Sequence, residues 1–326
     1  MFFKYPNLIM KKLVFLLLFP TLLSAQSVFQ QAEHYFAKDQ FHKAKPLFLQ
    51  HLKTHPTHLK TIEYLGDIAG HAKEWDTAIG YYETLVETNN RNANYHFKYG
   101  GAMGMKALEI SRIRAVTYIG DIRHHFETAA TLDPNHIEAR WALVEFYIQL
   151  PGIIGGSERK AIKYANELQK ISPVDGYLAK GYIAEYSERV EDAERYYKKA
   201  IEVGGSEHTY DKLTNLYEQN DRPAQAMATA SEALKKHNRN RLNYQIGKIA
   251  AQYNLNAELG IDCLQRYIEN HSVRDGVPKD WAYYRLAQIY RNLGNKATAL
   301  QWIDRALKER PDFKEAVAEK QQILSL

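Results

Sequence analysis

Apolar residues recur along this chain at three- and four-residue intervals, the spacing of one face of an α-helix. The pattern is sharpest between Asp280 and Pro311. Tyr283, Leu286 and Tyr290 form one stripe with small Ala287 beside it, and Ala299, Ile303 and Ala306 form a second. Between them Leu293-Gly294-Asn295 breaks the pattern, because Gly and Asn accept the positive φ of a helix end. Pro311 stops the second helix, since it has no N–H and its ring clashes with the preceding turn. The window predicts two short helices joined by a turn. Such a pair cannot bury both stripes by itself, so its partners must lie elsewhere in the chain.

The arrangement recurs. Ala44, Ala78, Ala161, Ala193, Ala226 and Ala299 each fall where a second helix would meet a first, and Ala44 to Ala78 is a step of 34 residues. Prolines follow second helices at Pro56, Pro134, Pro173 and Pro311. First helices carry small residues beside aromatic or aliphatic ones at Leu65-Gly66, Tyr99-Gly100 and Gly181-Tyr182, with Leu213, Tyr217 and Gly247 in the same register. The stripes divide the chain into about eight helical pairs, near 26–58, 59–92, 93–136, 137–173, 174–206, 207–239, 240–279 and 280–313. A last helix from Phe313 to about Ile323 offers Lys314, Glu315, Glu319, Lys320 and Gln321 as a polar face. That suits a cap on the exposed end of a stack. No run alternates apolar and polar residues between hairpin turns, so the fold class is all-α.

These spacings resemble the tetratricopeptide repeat (TPR), and the chain is similar to exported bacterial members of that family. The likeness covers nearly all of 26–326 and is most specific at 280–311. It implies a single-domain, right-handed solenoid of about eight helix-turn-helix units with a C-terminal capping helix.

The first 25 residues stand apart. Lys11-Lys12, the apolar run from Leu13 to Leu23, and Ser24-Ala25-Gln26 make the three parts of an export signal. The run is shorter than the ~20 residues a spanning helix needs. The expectation is a signal peptide over 1–25, cleaved after Ala25, and a periplasmic or secreted protein; left uncleaved, the segment would be an anchor. Loss of Lys4, Lys11 and Lys12 turns the net charge of +5 into 40 basic against 38 acidic residues, or +2. That balance does not predict nucleic-acid binding, which needs a clustered basic face. The only cysteine, Cys263, lies on the apolar side of a second helix and is expected to be buried, with no intrachain disulfide to form.

Candidate chemistry is sparse. His51, His55 and His58 cluster, but Pro56 ends the helix between them and no carboxylate is interleaved, so no metal site is expected. The adjacent pair His124-His125 points to different faces of a helix. In Gln149-Leu-Pro-Gly-Ile-Ile-Gly-Gly-Ser157 the glycines precede a helix start, yet Gly-Lys-Ser/Thr after a strand is missing, so the segment is read as a turn capped by Ser157. Ile153 and Ile154 are expected to tuck beneath it. An insertion near 106–117 keeps helical spacing and predicts longer helices rather than a loop. No nucleophile elbow, zinc-protease motif or acidic pair is present, which points to a non-enzymatic protein without cofactor.

The resemblance also implies a concave wall built from first helices. Carried onto this sequence, its inward positions are Glu63, Asp67, Trp141, Glu145, Tyr182, Glu185, Asp211, Asn215 and Glu218, then Arg241, Tyr244, Lys248, Trp281, Tyr284, Gln288 and Arg291. The reading is a partner-binding groove, acidic and aromatic at its centre and more basic toward the C-terminus, that takes a protein or peptide segment in the bacterial envelope. Two alternatives stand beside it: a groove that stacks glycan or peptidoglycan on Trp141, Tyr182, Trp281 and Tyr284, and a regulatory subunit of an envelope enzyme. The chaperone-tail clamp of some TPR proteins needs Lys where this chain has Asp211, although Asn215 fits, so that ligand is not predicted.

Overall fold

The computed structural model describes residues 27–326, and the expected signal over 1–25 lies outside the described residues. The chain divides into two compact units, 1–139 and 140–326. The first holds α1 (Val28–Phe36), α2 (Phe41–Thr54), α3 (Leu59–His71), α4 (Trp75–Thr88), α5 (Ala93–Glu109) and α6 (Arg112–Leu132). The second holds α7 (Ile137–Gln149), which begins at the boundary, α8 (Glu158–Ile171), α9 (Pro173–Tyr186), α10 (Val190–Val203), α11 (Glu207–Gln219) and α12 (Pro223–His237). It continues with α13 (Asn240–Tyr253), α14 (Ala257–Glu269), α15 (Lys279–Asn292), α16 (Lys296–Glu309) and α17 (Lys314–Leu324). No strand occurs among the described residues, and no helix among them is long and apolar enough to cross a membrane.

The pairing follows from side-chain size. The six repeated alanines are all 0 % exposed, each pressed against a neighbouring helix. Opposite them, small residues of first helices receive large residues of second ones. A Cβ placed on Gly66 would come within 2.6 Å of the Tyr82 ring, one on Gly181 within 2.3 Å of Tyr197, and one on Gly247 within 2.2 Å of Leu264. Tyr82, Tyr197 and Leu264 occupy the volume that a side chain would take, which fixes the axial register of each pair. α1 packs on α2, α3 on α4, α5 on α6, α9 on α10, α11 on α12, α13 on α14 and α15 on α16.

The turn inside a pair is built the same way at five pairs, and with a longer bond at a sixth, where Asn254 has positive φ and the Leu255 N–H reaches the Ala250 carbonyl at 3.1 Å. Asp39, Lys73, Glu188, Asp221 and Gly294 all have positive φ. The next N–H reaches back to a carbonyl five residues earlier, Gln40 to Tyr35, Glu74 to Ala69, Arg189 to Ala184, Arg222 to Tyr217 and Asn295 to Tyr290, at 2.8–2.9 Å. These bonds satisfy orphan carbonyls at the helix ends. Only Gly294 was legible as such a turn; the other four are charged residues in a conformation that disfavours a Cβ.

The insertions have definite structure. Residues 106–117 extend α5 and α6, as the spacing predicted, with a break only at Ile110-Ser111. Between α7 and α8 a single 3₁₀ turn (Gly152–Ile154) leads to Gly155 at φ 109°, and Ser157 accepts the Lys160 N–H as the cap of α8. Gly156 has no room for a Cβ, which would strike the Leu150 carbonyl oxygen. The expectation for Ile153 is corrected: it is 94 % exposed, on a turn that closes through its own backbone, with the Ile154 and Gly156 N–H groups both donating to the Pro151 carbonyl. The α8–α9 junction has no loop at all, since Ser172 is both the last residue of one helix boundary and the cap of the next, with Pro173 at its start.

α17 closes the second unit by packing on α15 and α16 with Phe313, Ala316 and Ile323 buried. Glu319, expected on the water-facing side, is buried instead and ion-paired with Arg291. Cys263 is buried as expected.

Candidate functional site

The positions implied as a groove fall on α3, α7, α9, α11, α13 and α15. In the first unit, Glu63 is buried and bonded to Lys98 at 2.6 Å, Lys60 at 3.0 Å and Asn94 at 2.9 Å. Asp67 accepts from Lys98 at 2.7 Å and from the Tyr82 hydroxyl at 2.8 Å. Burial alone would push the Glu63 carboxyl up; the hydrogen bonds and charges of Lys98 and Lys60 outweigh it and hold it below its ordinary value. Glu63 therefore serves the packing of α3 against α5 and is not presented to a partner. This corrects its assignment to the open groove, and the reason is Lys98, a residue 35 positions away that the family register does not mark.

In the second unit most assigned positions are also engaged from one first helix to the next. Trp141 Nε1 donates to Asp175 at 2.8 Å. Gln149 Nε2 donates to the Tyr182 hydroxyl at 2.7 Å, and the Tyr197 hydroxyl donates to Glu185 at 2.5 Å. Arg241 pairs with Glu207 at 2.7 Å and Asp211 at 2.8 Å, and Lys248 pairs with Glu218 at 2.8 Å. Gln288 donates to the Tyr284 hydroxyl at 2.9 Å, and Arg291 pairs with Glu319. Tyr284 is buried and its ring meets Phe313, so its face is closed to a ligand; this too corrects the groove assignment. Trp281 packs edge-on against Phe313 at 4.6 Å, and Tyr244 tilts against Tyr267 at 5.3 Å.

Three side chains break this series. Glu145 on α7 is exposed to water and makes no hydrogen bond or ion pair. It is nevertheless hemmed in by protein, and that desolvation pushes its carboxyl above the ordinary value, with Lys212 of α11 pulling the other way from beyond direct contact. Lys212 itself has no ion pair, and Asn215, one turn further along α11, is exposed and without a partner. Tyr186 on α9 is 50 % exposed next to Tyr182. Glu145, Tyr182, Tyr186, Lys212 and Asn215 thus span three successive first helices of one unit; the acid, the base and the amide are unpaired, while both phenol hydroxyls are bonded to Gln149. Lys212 and Tyr186 lay outside the sequence assignment; Lys212 is found by its lack of an ion pair and Tyr186 by its exposed ring, whose hydroxyl donates to the Gln149 carbonyl at 3.3 Å.

Two other features were not legible. His96 Nδ1 lies 2.8 Å from His125 Nδ1, while His96 Nε2 donates to the Asn90 carbonyl at 3.0 Å. Burial pushes His125 down to about 4, with His96 and His124 adding repulsion and Asp121 opposing them. A hydrogen bond between two Nδ1 atoms needs one donor and one acceptor, so the two rings are never both protonated while it holds. His51 stacks on His55 and meets His58 edge-on, and Phe29 packs against His51 and His58. Among the described residues no group of three or more His, Cys, Asp or Glu side chains is arranged to hold a metal ion. A solvent-open hollow of about 650 Å³ in the first unit is lined by Arg91, Asn94, Phe97, Asp133 and His136 among others, none of them an assigned position.

Comparison with known proteins follows this geometry. Tetratricopeptide repeat models match residues 281–313 and 174–203. No curated protein matches the chain. Among solved structures it is similar to a tetratricopeptide repeat protein from Parabacteroides merdae, at 12 % identity over 91 % of this chain and 97 % of that one, with a TM-score of 0.49. It is also similar to YrrB, described as a TPR protein with an unusual peptide-binding site, at 16 % identity over 60 % and 97 % with a TM-score of 0.43. MamA is similar at 21 % identity over 52 % and 92 %, with a TM-score of 0.42. The chain thus carries tetratricopeptide repeats at 174–203 and 281–313, the stretches of the helix pairs α9–α10 and α15–α16.

Proposed function

We propose that this protein is a binding scaffold that holds an extended segment of a partner protein against α7, α9 and α11. The observation that supports this is the unpartnered set Glu145, Lys212 and Asn215 within a row of first helices whose other polar side chains are bonded to each other. A protein that keeps a half-desolvated carboxylate without a partner holds a site whose missing charge comes from outside. The segment it fits places a cation at Glu145 and a carboxylate or carbonyl at Lys212 and Asn215, with Tyr182 and Tyr186 along its flank. Exposed Tyr and Arg side chains carry much interface energy, which favours Tyr186 as an anchor.

The compartment in this proposal is the cell envelope, on the strength of the signal-like residues 1–25. The protein acts there as a non-enzymatic scaffold. Stacking on glycan is the less favoured reading, because Tyr284 is buried and Trp281 already packs on Phe313. A photo-crosslinking amino acid at Tyr186, introduced in native cells and read by mass spectrometry, tests it. The expected product is one reproducible protein adduct that Glu145→Ala with Lys212→Ala removes. Adducts absent from Tyr186, or indifferent to that double substitution, would sink the proposal.

A further inference from the structure

The end of the α5–α6 pair is unlike any other part of the molecule. α6 runs 21 residues where α4 runs 14, and the extra residues add about 10 Å of helix. Along that extension Met105 and Leu108, then Ile113 and Val116, sit three apart, so each couple shares a helix face. They are 43 %, 76 %, 86 % and 48 % exposed. Arg112 and Arg114 flank Ile113, both exposed and both without an ion pair. The neighbouring charges are the carboxylate of Glu109, also exposed, and Lys106, which is already paired with Asp76.

We propose that this tip inserts into the headgroup region of an anionic lipid bilayer. The argument is one of charge and shape. Four aliphatic side chains crowd a narrow helix end, where they can enter the boundary between headgroups and acyl chains as an interfacial segment does. Two guanidinium groups stand beside them without carboxylate partners, and guanidinium bonds phosphate oxygens in a planar, two-pronged geometry. Their long stems let the charge stay at the headgroups while the aliphatic residues go deeper. A second copy of this chain set tip to tip would bring Arg112 and Arg114 against their own equivalents, which disfavours self-association. None of the tip residues belongs to the set on α7, α9 and α11, so the inference stands independently of the function proposed above.

The full chain provides its own probe. Cys263 is 2 % exposed, and burial pushes its thiol up to about 11, so it is a poor target for thiol reagents. Ile113→Cys can be labelled there with an environment-sensitive fluorophore, the native chain serving as the blank. Thr88→Cys marks the opposite end of the same unit, since the Lys106–Asp76 pair places the start of α4 near the tip and Thr88 at the far end of that helix. On adding vesicles of equal parts phosphatidylglycerol and phosphatidylcholine, the label at 113 is expected to shift to the blue and the label at 88 to stay unchanged. Vesicles of phosphatidylcholine alone are expected to give little shift. Arg112→Gln with Arg114→Gln is expected to raise the lipid concentration for half-maximal shift about thirtyfold. No shift at 113 with anionic vesicles would overturn the proposal. So would equal shifts at 88 and 113, or equal shifts with both lipid mixtures. A response at 113 only to a protein fraction would also overturn it and assign the tip to a protein partner.

Discussion

The two units differ at a few of their first-helix positions, although most such side chains are paired in both. On α3 and α5, Glu63 and Asp67 are bound by Lys98, Lys60, Asn94 and Tyr82, and no charge is left over. On α7, α9 and α11, Glu145, Lys212 and Asn215 have no partner although the backbone scaffold is the same. The repeat therefore fixes where a side chain stands but not what it does there. A paired charge joins neighbouring helices, and an unpaired one is available for recognition. Position alone, which is all that a family register conveys, does not separate these roles.

The largest expected effect tests the paired side. Lys98→Ala strips a cation from buried Glu63 and from Asp67, and is expected to cost about 3 kcal/mol of stability in urea unfolding. Glu145→Ala removes a carboxylate with no partner and is expected to change stability by less than about 0.5 kcal/mol. Equal losses in the two variants would abolish the contrast. Packing, unlike charge, is shared by both units. Gly66→Val and Gly181→Val are each expected to cost about 2 kcal/mol or more, because the new side chains meet Tyr82 and Tyr197. A large difference between them would show that the units do not share one packing rule.

Acid is expected to act selectively on the first unit. A histidine whose folded value lies below its unfolded one binds fewer protons when folded. The stability it contributes is complete above the unfolded value near 6.5 and is lost as pH falls toward the folded value of about 4. For His125, half-buried and partly screened, the loss is expected to be about 1–2 kcal/mol. His125→Phe should flatten that part of the melting-temperature profile between about pH 7 and pH 4.5. A profile unchanged by the substitution would assign the acid sensitivity to other groups. The smallest effect is a gain. Glu188→Gly, at a positive-φ turn of the second unit, is expected to stabilise by about 1 kcal/mol, and Lys73→Gly should do the same in the first.

The helix pairs were legible because their signal is steric and local. Ala193 and Gly181 are small where Tyr197 is large, and those three residues lie within one 17-residue stretch. The capping helix was legible for the same reason, through Phe313 and its apolar spacing. The site was not, because charge pairing depends on residues about 30 positions away whose approach no local pattern shows. Lys98 to Glu63 and Arg291 to Glu319 are such pairs, and each turned an expected surface residue inward. Ile153 erred the other way, since a turn of three glycines closes through its own backbone and needs no apolar plug. The charged residues Asp39, Lys73, Glu188 and Asp221 hid four turns that glycine would have announced.

Ser172 has a consequence for how the molecule can be cut. As the single residue between α8 and α9, its side-chain oxygen accepts from the Asp175 N–H while its own N–H is bonded to the Leu168 carbonyl. Proteases need several residues of extended backbone in their clefts, and this elbow supplies none without unravelling two helices. The stretch from His271 to Pro278, which separates α14 from α15 and exposes Val273 almost completely, is held by a single 3₁₀ turn (Val273–Asp275) whose opening breaks no α-helix. Digestion under native conditions should therefore release a fragment ending near Val273 while leaving α8 and α9 on one piece.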